Sequence, residues 1–207
     1  MRYWLLSNTM YGTWLPGSPR GSVTSVRDRR PEDDPTQFCF EHDMPGEPWE
    51  EEIPGLQRSA LELMKGPPIH LDLEKALILL PQFRETAQFR GWTIHPVAIM
   101  FNHLHMVVAV PDDPNPTKIL ADFKAYCSRV LNRKYGKPPS ETWWTTNGSK
   151  RKLKNDNASA GATHYVLFKQ PKPLVVWCRI RGLLVPKHLA DQSNPGEPGA
   201  SATGVRA

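Results

Sequence analysis

No apolar run in the chain approaches the roughly 18 residues needed to span a bilayer, so no membrane partner is expected. The start, Met1-Arg2-Tyr3-Trp4-Leu5-Leu6-Ser7-Asn8-Thr9, turns polar too early for a secretory signal. Cysteine is scarce: Cys39, Cys127 and Cys178 are scattered and odd in number, which offers neither a disulfide framework nor a CxxC zinc site. There is also no HExxH segment, so the helical metalloprotease signature is absent. These absences favour a reducing, cytoplasmic setting. At 207 residues the chain has room for one full core and not for two.

What is present is unevenly spread. The net charge is +5, but acids crowd one stretch, from Asp28 through Glu32, Asp33, Asp34, Glu41, Asp43, Glu47 and Glu50 to Glu52. Bases crowd another: Lys118, Lys124, Arg129, Arg133, Lys134, Lys137, Lys150, Arg151, Lys152 and Lys154, against Asp122 and Glu141 alone. Such a cluster suits neutralisation of phosphates. It suits a solvated basic face equally well, and charge alone does not separate the two.

Periodicity and turn chemistry set an order of elements. Tyr3–Met10 reads as a first strand. An acidic, proline-bearing loop or insertion follows over about 26–54, of a length that tends to be functional or mobile. Asp72 can cap a helix from Leu73 to about Arg90, with Leu73, Leu77, Leu80 and Phe83 at helical spacing and Gly91 as its stop. Pro81 is expected to kink or split it. Trp92–Met100 and His103–Val110 are apolar, β-branched strands around Phe101-Asn102. A second helix runs from Thr117 to about Lys134. Asn147-Gly148 between Thr142–Thr146 and Ser149–Leu153 signals a type I′ hairpin. Asn155 or Asn157 caps a third helix, from Ala158 to about Lys169, which ends before Pro171. Leu174–Trp177 is a short final strand, and residues 190–207 read as a disordered tail behind a domain spanning 1–189. Strands with hairpins alternate with helices, which gives an α+β fold with a largely antiparallel sheet.

The most informative segment is Phe101-Asn102-His103-Leu104-His105-Met106-Val107-Val108. Residues two apart on a strand share a face, so His103 and His105 project side by side. Leaving two polar rings unpaired in a buried strand costs about 1–3 kcal/mol each, and a shared divalent metal would satisfy both, histidine being its commonest side-chain ligand. The bland alternative, two ordinary strand histidines, is the commoner fate of a bare HxH pair.

That segment resembles the histidine–hydrophobe–histidine core of the single-tyrosine HUH transposases, insertion-sequence-200-like or REP-associated. Three further landmarks are similar and in order. They are Tyr11-Gly12-Thr13-Trp14-Leu15-Pro16-Gly17 with Arg20-Gly21-Ser22-Val23, then Trp143-Trp144 before Asn147-Gly148-Ser149, and finally His164-Tyr165-Val166-Leu167-Phe168-Lys169-Gln170. The resemblance spans about residues 3–177. It implies a ferredoxin-like fold, a bacterial nucleoid-associated setting, and a metal-dependent nuclease and strand transferase acting in DNA transposition. It further implies a 5′-phosphotyrosine intermediate, Mg²⁺ or Mn²⁺ as cofactor, and single-stranded or hairpin-forming DNA as partner. Relatives act as monomers and as homodimers, so both states are open.

By family position the nucleophile is Tyr165. Tyr126 is the alternative, although its helix neighbours Phe123 and Val130 give it the look of a core residue. Members of the family often carry a third metal ligand four residues after the tyrosine. Lys169 stands there in this chain, and Gln170 lies one further, about 140° round a regular helix from Tyr165. A wide turn before Pro171 would bring Gln170 back, and His164 or His95 are the other candidates. Lys118, Lys124, Lys150, Arg151 and Lys152 are expected to form one DNA-binding face, with Trp143 and Trp144 stacking on unpaired bases. Two other readings use the same residues: a DNA-binding module without catalysis, and a metal-dependent hydrolase of small substrates.

Overall fold

Alternation along one central strand divides the molecule into two unequal halves. In the computed structural model, which describes residues 1–18 and 53–184, that strand is β3 (His103–Val110). Leu104, Met106 and Val108 are buried in the larger of two cores. His103, His105 and Val107 therefore point to the opposite face, where Val107 belongs to the smaller core. Strand β1 (Arg2–Thr9) runs antiparallel to β3 and sets Ser7 opposite His105 and Thr9 opposite His103. Strand β2 (Thr93–Ile99) pairs with the other side of β3, and β4 (Ser149–Leu153) pairs with β1. Strands β5 (Val175–Cys178) and β6 (Gly182–Leu184) extend the sheet beyond β2. The sheet order is β4-β1-β3-β2-β5-β6, and every pairing is antiparallel.

Helices α2 (Leu73–Arg90) and α3 (Pro116–Tyr135) cover the larger core. With them the first four strands, β1 to β4, trace the β-α-β-β-α-β path of a ferredoxin-like α+β fold. The caps follow from the sequence. Asp72 accepts from the Lys75 amide at 2.8 Å, Asn115 from the Thr117 amide at 2.9 Å, and Gly91 closes α2 at a φ of 67°, a left-handed conformation open to glycine at little cost. Helix α4 (Asp156–Phe168), capped by Asn155, lies on the other face. Its Ala162 and Val166 are buried with Ala98, Met100, Val107, Leu153 and Val176. Helix α1 (Pro54–Glu62) has no buried residue and no sequence period announced it. Among the described residues no helix is long and apolar enough to cross a membrane. The expected acidic loop (but for its last two residues), the tail and the Arg20–Val23 landmark lie outside the described residues.

Three expectations are corrected. Of the kink or split expected at Pro81 the split does not occur: helix α2 continues through it, because Pro81 is exposed and the carbonyl it leaves without a helical donor sits on the wet side. The buried stripe of α2 is Ala76, Leu79, Leu80, Phe83 and Ala87, and Leu77 points outward. The Asn147-Gly148 hairpin does not form: before β4 there is only a single bridge between Met10 and Trp144. Gly148 has no positive φ and is required for another reason. A Cβ there would stand 2.5 Å from Asn8 Oδ1, 2.6 Å from Leu120 Cδ2 and 2.8 Å from the Ser7 carbonyl.

What replaces the hairpin is an irregular segment held by a lysine. Lys124 Nζ donates to the carbonyls of Thr145 at 2.5 Å, Thr146 at 3.1 Å and Asn147 at 3.4 Å, and to Asn8 Oδ1 at 3.4 Å. Burial, with Lys150 nearby, lowers its pKa to about 8. Trp143 and Trp144 are also built in. Trp143 Nε1 donates to Asn132 Oδ1 at 2.8 Å, and Trp144 Nε1 to Ser128 Oγ at 2.9 Å.

Two predictions follow from this packing. Gly148→Ala should lower stability by about 1–3 kcal/mol, the usual cost of forcing atoms into a filled space, read as a fall in denaturation midpoint at constant slope. Lys124→Met, which keeps the stem but strips the donors from three carbonyls, should cost at least as much. Lys118→Ala, at an exposed position, should change stability by less than about 0.5 kcal/mol; equal losses for the two lysine variants would contradict the structural role given to Lys124.

Candidate active site at the histidine pair

The ring centroids of His103 and His105 are 5.0 Å apart. Each ring is held through Nδ1. The His103 Nδ1 lies 2.6 Å from Asn102 Oδ1; an amide oxygen only accepts, so Nδ1 carries a proton, and in the neutral ring that leaves Nε2 as the nitrogen with a lone pair. The His105 Nδ1 shares a 2.5 Å hydrogen bond with Ser7 Oγ, the residue that strand pairing puts opposite it. Its Nε2 is 3.5 Å from the phenolic oxygen of Tyr165, with the two rings edge to face at 5.2 Å. Burial, with His103 adding to it, pushes the His105 pKa down to about 3, so its ring is neutral at physiological pH, the form in which imidazole donates a lone pair.

Tyr165 reaches this place because α4 rests on Ala162 and Val166 and turns the tyrosine to the flank, 40% exposed. Thus residues 60 positions apart converge on one face of the sheet. Tyr126 is elsewhere, in a crevice between α2 and α3 with Phe89 at 6.4 Å, on the far side of the sheet. The wide turn expected after Tyr165 is absent: the Lys169 amide bonds the Tyr165 carbonyl at 3.1 Å in ordinary helical fashion. Gln170 instead donates through Nε2 to that same carbonyl at 3.0 Å. Among the described residues no group of three His, Cys, Asp or Glu side chains converges on one point, so neither His95 nor His164 completes the pair. His95 packs on Tyr3 at 5.3 Å and His164 on Phe168 at 5.2 Å.

The expected single DNA-binding face is divided. Strand alternation sends Lys150 and Lys152, opposite Leu6 and Trp4, to the side of the larger core. Lys150 is buried, and Lys152 pairs with Asp113 at 3.2 Å while covering the Trp4 ring. Arg151 and Ser149, opposite Leu5 and Ser7, are on the histidine face. Lys118 lies in the first turn of α3 and Lys124 further along the same helix, across the sheet from the histidines. Trp143 and Trp144, 5% and 2% exposed, have no free face for a base. Sequence reasoning missed Ser7 and Asn102; the signal available was that a strand histidine binding through one nitrogen needs a partner for the other.

Comparison with known proteins bears on the same segment. Residues 72–149 match the family described as "Transposase IS200 like", a stretch that runs from the cap of α2 through the histidine strand to the first residue of β4 and stops before Tyr165. No curated protein matches the sequence. One solved structure with a similar chain path is titled "Structure of the REP associates tyrosine transposase bound to a REP hairpin". It is 10% identical, with a TM-score of 0.42, over 80% of this chain and 64% of that one, so this chain spans less than two thirds of its length. The matched segment, less than half of the chain, holds both helices of the larger core and the histidine pair, and it is this segment that is similar to the IS200-like transposases.

Proposed function

We propose that the chain is a transposase-type enzyme that cleaves and rejoins single-stranded or hairpin-forming DNA, with Tyr165 as nucleophile and a divalent metal bound by His103 and His105. The observation that carries this reading is the approach of the Tyr165 oxygen to within 3.5 Å of His105 Nε2, from a helix 60 residues away. Two imidazole nitrogens would hold a divalent metal, and Mg²⁺ or Mn²⁺ is the ion that the resemblance implies. Each imidazole is fixed through Nδ1, by Asn102 and by Ser7, which orients its Nε2 outward as in carboxylate- or carbonyl-supported ligand histidines. Gln170, anchored on Tyr165 by its amide nitrogen, would offer Oε1 as a third ligand. Bound there, the metal would polarise a phosphate and stabilise its developing charge.

The chain's own groups do the rest. A phenol with an ordinary pKa of about 10 is a weak nucleophile at neutral pH, so its placement matters. Ala162 and Val166 seat α4 and aim the ring, and Ser7 keeps the His105 ring from turning. Attack forms a bond from Tyr165 Oη to phosphorus as the P–O3′ bond breaks. The phenolic proton is lost, the 3′ oxygen gains one, and the phosphodiester count is conserved, so the reverse attack by a 3′ hydroxyl rejoins strands without ATP. Arg151, on the histidine face, and the exposed bases of α3 would neutralise backbone phosphates on the two sides of the sheet.

Tyr165→Phe should abolish the covalent protein–DNA adduct formed on a labelled single strand with Mn²⁺, resolved on a denaturing gel, while leaving DNA affinity within about twofold. Tyr126→Phe should form the adduct normally. An adduct that persists in Tyr165→Phe and disappears in Tyr126→Phe would reverse the assignment. Retained DNA binding without any adduct, in the wild-type protein too, would favour the non-catalytic module. Ser7→Ala should weaken Mn²⁺ binding in calorimetry by about 10- to 100-fold, the usual loss when a ligand's hydrogen-bond partner is removed. Unaltered Mn²⁺ affinity would detach Ser7 from the site.

A further inference from the structure

With Trp143 and Trp144 buried, base stacking needs another surface, and the turn that leads into the histidine strand offers one. Phe101 occupies the two-residue turn between β2 and β3, is 49% exposed, and stands two residues before His103. Its ring stacks on that of His70, centroids 5.5 Å apart and planes 27° from parallel. The turn is pinned on several sides. The Phe101 carbonyl accepts from the Leu71 amide at 2.6 Å and the Asn102 carbonyl from the Met10 amide at 2.8 Å, and the His103 carbonyl accepts from the Met100 amide at 2.8 Å. Thr13 Oγ1 adds a bond to the Asn102 carbonyl at 3.1 Å. Asn102 in turn holds the His103 ring. The aromatic pair and the first histidine are therefore parts of one rigid corner, with Cα atoms of Phe101 and His103 no more than about 7.6 Å apart. Among the described residues, two further pairs with an exposed phenyl ring, His164 with Phe168 and Tyr126 with Phe89, are tilted by 50° and 58° and offer no such flat stack.

We propose that Phe101, braced by His70, is the platform on which an unpaired nucleobase of single-stranded DNA stacks next to the phosphate held at the histidine pair. The inference rests on the function proposed above and adds the feature that distinguishes an unpaired strand from a bare phosphate chain. A half-exposed phenyl ring is costly to hydrate and needs no particular base, since every base has a π-face. A strand stacked there would have its next phosphate within reach of His103, because the ring is fixed and the turn does not flex independently of the ligand side chain.

The test compares two probes of equal length and charge, a 20-nucleotide dT strand and an abasic phosphodiester strand, binding to a Tyr165→Phe background that forms no adduct. Stacking on one aromatic predicts that the dT strand is preferred by roughly 5- to 150-fold. Phe101→Ala should remove most of that preference by weakening dT binding alone, with the salt dependence unchanged, and Phe101→Trp should restore it. A preference for dT that survives Phe101→Ala overturns the platform. So does equal weakening on both probes, which marks a general disturbance of the corner. Adduct formation by the otherwise wild-type protein is scored in parallel. An adduct with an indifferent Phe101 discards the platform and keeps the enzyme, whereas no binding to either strand discards both.

Discussion

The register between β1 and β3 is the constraint on which the site depends. Ser7 meets His105 and Thr9 meets His103 only in the observed pairing. Side chains on a strand alternate with a period of two, so a slip of one residue would send both histidines into the larger core and Leu104 and Met106 out of it. The register is enforced by what lies beneath: Trp4, Leu6, Leu104, Met106 and Val108 are all buried against α2 and α3, and each large apolar side chain contributes about 1.5–3 kcal/mol by being there. The polar site is thus positioned by the apolar packing on the reverse of the same strands.

This explains which parts were legible beforehand. Strand β3 was readable to the residue because apolar alternation and the histidine pair share one period. The helix caps at Asp72 and Asn155 were readable because capping is a local bargain between a side chain and an amide two or three residues on, whereas the cap at Asn115, one residue before Pro116, was not read in advance. The tyrosine's element was readable, though its approach to His105 needed the fold. What failed was non-local. Trp143 and Trp144 look like a stacking surface in sequence, but Asn132 and Ser128, more than ten residues away, accept their indole N–H groups and draw them inward. Asn147-Gly148 carries a hairpin signal that tertiary packing overrides: the glycine is needed for the close passage of Asn8 and Leu120. The basic stretch from Lys118 to Lys154 is contiguous in sequence but distributed over two sheet faces by strand alternation, one buried lysine and one ion pair.

The two faces accordingly differ in kind. One is a large apolar core under two long helices; the other is a small core under α4, leaving room at its flank for histidines, serine and tyrosine. Ordinary packing density on one side lets the other carry polar groups with unusual demands, such as a neutral, half-buried imidazole. Stability and chemistry occupy opposite surfaces of the same strands, linked through the register that both share.

The ammonium of Lys124 has a role usually given to an ion. It gathers three backbone carbonyls and an amide oxygen much as a bound cation gathers oxygen ligands, but it is covalently tethered and cannot dissociate. The chain therefore shapes the approach to β4 with a charge that no chelator removes and no dilution depletes. Stripping divalent ions from the solution would leave this corner of the scaffold standing.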